Sequence, residues 1–186
     1  MTARANYLPG PATGAEVRKD GDEWTLILVR DLLQPPEMVW RALTEPDQLR
    51  QWAPFDVDRN LDATGPVTLT TVAAPRQQVS VSNVTRADAP SLLEYSWGGN
   101  NIRWELKPHV KGTRLILWHN IDRRYISMGA AGWHICLDVL DRFLADEPIG
   151  RIVGADAMKF EWQRLNTEYA KQFGVKAESA PPQTAT

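Results

Sequence analysis

The chain has one cysteine, Cys136, and three histidines, His109, His119 and His134, in 186 residues. A single cysteine excludes an internal disulfide, and this one falls on an apolar helical stripe, where a small core residue is expected rather than a reactive thiol. So few soft donors also argue against a zinc centre, which needs three or four converging ligands. His109 lies in a predicted hairpin turn, and His134 and Cys136, two positions apart, point to different sides of a helix. No metal and no cofactor is expected. Formal net charge is only −2 with Lys and Arg scattered singly, so the basic footprint of a nucleic-acid binder is missing. No apolar run approaches the ~20 residues of a membrane span, and residues 1–10 lack the apolar centre of a signal peptide, so a cytoplasmic protein is expected. A Gly-x-Ser-x-Gly elbow and a Gly-rich phosphate loop are both absent.

Tryptophan, in contrast, is abundant, with eight in the chain. The stretch that organises the rest is residues 132–144, where Trp133, Cys136, Leu137, Leu140 and Leu144 recur at the spacing of one helix face. His134, Asp138, Asp141 and Arg142 lie off that stripe and are expected on a water-facing side. The surface the stripe needs must come from the strand-rich segment before it.

Residues 1–14 are rich in Pro, Gly, Ala and Thr without periodicity and read as a disordered lead-in; residues 175–186 read as a disordered tail. Between them, residues 15–174 suffice for one domain with a full core. Asp20-Gly21 between two strand-like runs predicts a two-residue hairpin turn, which sets Val17 opposite Trp24. Pro35-Pro36-Glu37 opens a short helix and Pro46 a second. Six further strands are predicted at about 55–59, 67–72, 77–86, 92–97, 102–107 and 113–121, separated by turn-forming pieces that include Ala73-Ala74-Pro75 and Gly98-Gly99-Asn100-Asn101. In the last strand Thr113, Leu115, Leu117, His119 and Ile121 share the face expected to meet the helix. Ile116 and Trp118 fall on the outer face, where they offer a contact for a second copy or a protein partner. A final helix is predicted over about 156–173, with Gly174 as its stop.

This order of elements resembles the helix-grip fold of the START-like (SRPBCC) superfamily, an α+β architecture. Val39-Trp40-Arg41-Ala42-Leu43-Thr44-Glu45-Pro46, Gln51-Trp52, Leu93-Glu94-Tyr95-Ser96-Trp97, Trp104-Glu105-Leu106-Lys107-Pro108, Gly112-Thr113-Arg114-Leu115 and Gly132-Trp133 are similar to signatures of its heat-shock protein 90 ATPase activator-like branch. The likeness runs from Trp24 to about Gly174. It implies a curved antiparallel sheet of six to seven strands, two short helices, and a long C-terminal helix across the sheet with a cavity beneath it.

The elements that would wall such a cavity carry Trp52, Trp97, Trp104, Leu106, Leu115, Leu117, His119, Trp133 and Leu137. Aromatics and leucines with one or two polar handles are the usual lining of small-molecule pockets, so a non-enzymatic binding module for a small apolar or aromatic molecule is the first functional expectation. The resemblance implies a second, a chaperone-assisting interaction protein. A third is a cyclase or hydrolase in which His119, with an ordinary pKa near neutrality, serves as acid or base.

Overall fold

Strands β1 (Ala15–Asp20) and β2 (Glu23–Leu32) form the first hairpin of the computed structural model, which describes residues 2–72 and 77–179. The turn is one residue later than predicted. Asp20 pairs with Glu23, so the loop is Gly21-Asp22, Lys19 stands opposite Trp24, and Val17 stands opposite Leu26. Gly21 takes φ +59 at the first loop position, a backbone state glycine adopts without steric cost.

Helices α1 (Pro36–Thr44) and α2 (Pro46–Leu49) follow, each with Pro at its first position, where no partner for an N–H is lost. Then come β3 (Phe55–Val57), β4 (Gly65–Thr71), β5 (Gln78–Val84), β6 (Arg86–Asp88), β7 (Leu92–Trp97), β8 (Asn100–His109) and β9 (Gly112–Asn120). They do not make one sheet. The large sheet has six strands in the order β1-β2-β9-β8-β7-β6, and β3-β4-β5 form a second, smaller one. The strand predicted over 77–86 divides at Thr85: β5 pairs with β4, whereas β6 pairs with β7. Sequence alternation cannot show such a change of partner, because each half keeps its own period. The predicted turn at 73–75 lies outside the described residues. His109, expected in a turn, ends β8 opposite Gly112.

Strand β9 alternates without interruption between β2 and β8. Thr113, Leu115, Leu117, His119 and Ile121 are buried, Arg114 is exposed, and Ile116, Trp118 and Asn120 are half-buried. The outer face is therefore less open than expected at Trp118, which pairs with buried Ile27 and lies under the Arg18 guanidinium, 4.9 Å from its ring centroid.

Helix α3 (Ile126–Leu144) lies on the inner face and begins six residues before the apolar stripe read from the sequence. Its second side is not wet. Helix α4 (Trp162–Phe173) must bury Leu165 and Tyr169, and it does so against α3. Ser127 donates to Asn166 Oδ1 at 2.7 Å, and buried His134 Nδ1 meets the Tyr169 hydroxyl at 2.7 Å. The predicted last helix is split: a 3₁₀ segment, Gly154–Phe160, ends at Glu161, whose left-handed φ of 58 breaks the run.

Residues 2–14 also differ from the disordered lead-in expected of them. They run over α3 and α4, with Tyr7 buried, Arg4 donating to the carbonyls of Ile149, Gly150 and Arg151, and the Ala12 amide donating to Glu168 at 2.9 Å. Low periodicity hid this docking, since it rests on one aromatic and on backbone carbonyls rather than on a repeating stripe. In the segment expected to be a tail, Asn166 Nδ2 donates to the Glu178 carbonyl at 2.9 Å; residues 180–186 lie outside the described residues.

Candidate functional site

The core fills most of the space under α3. Trp52 and Trp104 are fully buried and meet edge to face at 5.9 Å, with their indole N–H groups satisfied by the Ala42 carbonyl and the Tyr95 hydroxyl. Each buries an area worth roughly 4 to 6 kcal/mol. Leu106, Leu115, Leu117 and Leu137 are likewise core side chains. These six candidate residues pack in the core and are not among those that line the cavity beside it.

Beyond them, toward the N-terminal half of α3, lies a cavity of about 1000 Å³. Three candidates, Trp97, His119 and Trp133, form its floor. The Gly98-Gly99 turn, with φ of 57 and 84, places Trp97 opposite Asn100 at the end of β7 and β8. The other walls were not legible as such: Met128, Gly129 and Gly132 on α3, Ser80 on β5, and residues 152–155, Ala157 and Met158 with Trp162. Val79, Tyr125 and Met158 are exposed side chains at its edge. Two glycines one turn apart within the first part of a helix were the available signal, since a helix pays for glycine in stability and so carries it where space is needed.

No Asp, Glu, Lys or Arg lies among the described residues of this wall. Burial pushes the Cys136 thiol up to about 12, and burial pulls the His119 imidazole down from 6.5 to about 4. Both are neutral at pH 7.

His119, 4 % exposed, sits between Leu26 and Ile102 on the neighbouring strands. Its ring stacks on Trp97 with centroids 5.9 Å apart. Trp133 Nε1 donates to His119 Nδ1 at 2.9 Å. An indole nitrogen can only donate, so Nδ1 must be the acceptor and the neutral imidazole carries its hydrogen on Nε2. That Nε2 is buried and has no partner among the described residues, and the same is true of the Ser80 hydroxyl, another lining group. No group of three His, Cys, Asp or Glu side chains that could hold a metal occurs among the described residues. No helix among them is long and apolar enough to cross a membrane.

A six-stranded antiparallel sheet gripping a long helix, with a cavity at one end whose described wall residues are uncharged, defines a helix-grip protein of the START-like class. Residues 34–145 match the model of the Activator of Hsp90 ATPase homolog 1-like protein family, and the chain belongs to that family. No curated protein has a significantly similar sequence. Solved structures share the fold. A conserved protein of unknown function from Enterococcus faecalis superposes with a TM-score of 0.64 at 18% identity, over 85% of this chain and 89% of its own. CalU16 from Micromonospora echinospora gives 0.61 at 19%, over 89% and 98%. An AHSA1-like protein from Aeromonas hydrophila gives 0.55 at 18%, over 66% and 92%.

Proposed function

We propose that this protein is a binding module that holds a small, uncharged, largely apolar molecule in the cavity beside His119. The observation that carries this reading is a space of about 1000 Å³ whose wall has aromatic and aliphatic side chains and, among the described residues, no charged ones and two buried polar atoms without partners. A buried donor left unpaired costs about 1 to 3 kcal/mol, which a ligand oxygen would recover. Cyclase or hydrolase chemistry at His119 has less support. Its Nδ1 is occupied by Trp133 and its Nε2 already holds a hydrogen, so it has no free lone pair to act as a base. The family's name keeps a chaperone-assisting role as the second reading. Ile116 and Trp118, the surface offered to such a partner, are half-buried.

Gly132 provides the test. A Cβ built there meets nothing nearer than Trp162 Nε1 at 4.0 Å, and the residue lines the cavity. Gly132→Ala should stabilise the helix by about 0.5 to 1 kcal/mol and leave binding intact. Gly132→Leu should fill the space and weaken binding of 2-acetylnaphthalene by roughly tenfold or more. Native mass spectrometry for co-purifying small molecules and equilibrium dialysis would read this out. An unliganded protein whose two Gly132 variants behave alike toward that probe would sink the reading, and stimulation of an Hsp90 ATPase would then favour the second.

A further inference from the structure

The contact between Trp133 and His119 has more to say about which ligands the cavity accepts, and this rests on the binding-module reading. We propose that Trp133 is a positioning residue that locks His119 as a one-way hydrogen-bond donor, so that the cavity selects uncharged molecules presenting a carbonyl- or ether-type acceptor.

The lock has three parts. The Trp133 indole is wedged edge to face against Trp104 at 5.5 Å and against Trp97 at 5.9 Å, so it has little freedom to turn its N–H elsewhere. That N–H holds Nδ1 as acceptor at 2.9 Å. A half-turn of the imidazole would bring a carbon to the indole N–H and forfeit the bond, and the stacking of the ring on Trp97 would not restore it. With Nδ1 held, the only tautomer available to the neutral ring leaves Nε2–H to be satisfied. A ligand donor brought to the same place would face another donor.

Charge is excluded by a separate cause. A carboxylate could accept from Nε2–H, but it would leave water for a wall with no cation among its described residues, and one hydrogen bond does not offset that desolvation. The acceptor must therefore be neutral. The Ser80 hydroxyl, able to donate or accept, gives a second anchor and does not discriminate.

Three matched probes separate these claims: 2-acetylnaphthalene, its hydrocarbon counterpart 2-isopropenylnaphthalene, and 2-naphthoate. In equilibrium dialysis at pH 7.5 the ketone should bind the unmodified protein about five- to tenfold more tightly than the hydrocarbon. The naphthoate should bind at least about tenfold more weakly than the ketone. His119→Leu should bring the ketone and hydrocarbon affinities together. Trp133→Phe should narrow that gap only slightly, because an unheld imidazole can change tautomer but still offers Nε2–H to the ketone. Nitrogen-15 spectra of the histidine ring, taken without ligand, give a readout that packing alone would not move. They should show the Nε2–H tautomer in the unmodified protein and a mixture in Trp133→Phe. An Nδ1–H tautomer in the unmodified protein, or equal binding of ketone and hydrocarbon, would overturn this inference and leave the cavity reading standing. Failure of all three probes to bind would overturn the cavity reading and this inference with it.

Discussion

Replacing Tyr7 by alanine is expected to destabilise the protein by about 3 to 5 kcal/mol, the usual loss for a large buried aromatic. Its ring is 3 % exposed and packs 5.6 Å from Phe160, and its hydroxyl donates to Asp138 on α3 at 2.6 Å. Burial, reinforced by the Asp138 carboxylate, raises the phenol well above its ordinary pKa, so it stays protonated and keeps donating. Tyr7→Phe isolates the hydrogen bond and should cost about 1.5 to 3 kcal/mol, the range for a bond to a charged acceptor. The neighbouring Leu8 is 72 % exposed, and Leu8→Ala should change stability by no more than about 0.5 kcal/mol. Urea midpoints at constant slope measure all three. Indistinguishable midpoints for Tyr7→Ala and Leu8→Ala would mean that the N-terminal segment is not docked on α3 and α4.

The second large effect is acid lability. Burial lowers His119 from 6.5 to about 4, so between those values the unfolded chain holds a proton that the folded protein does not. Stability contributed by the neutral ring is therefore complete above pH 6.5 and is lost as pH falls toward 4, at about 1.4 kcal/mol per pH unit. Across the window this sums to roughly 3 kcal/mol. His119→Leu removes this titration, and leucine suits a position flanked by Leu26 and Ile102. Its stability should decline less than that of the unmodified protein from pH 7 to pH 4, so the difference between the two should shift in favour of the variant by that amount. Parallel pH profiles would show that His119 is not held neutral in the folded state.

Both effects concern residues whose surroundings were unequally legible. His119 could be placed from the alternation after Lys111-Gly112, because a pleated strand turns every second side chain to one face and β9 carries no bulge. Tyr7 could not be placed, since a lone aromatic in a Pro- and Gly-rich segment has no period to read. The hairpin at Gly21 lies between these cases. The glycine marked the turn, but Asp20-Gly21 and Gly21-Asp22 are both acceptable loops, and the choice between them shifts every pair along β1.

The same division runs through the whole molecule. Strand alternation, the apolar stripe of α3 and the family likeness follow from local periodicity, and with them come the large sheet, the helix across it and the inward His119. Which tryptophans became core and which became wall did not follow. Trp52 and Trp104 closed on each other while Trp97 and Trp133 came to line the cavity, because β3-β4-β5 left the main sheet and residues 152–155, Ala157 and Met158 came to its wall. The tautomer of His119 was decided at the same level, by an indole fourteen residues away in sequence. Periodicity records which face of an element is apolar, and only the packing of elements against one another decides what that face meets.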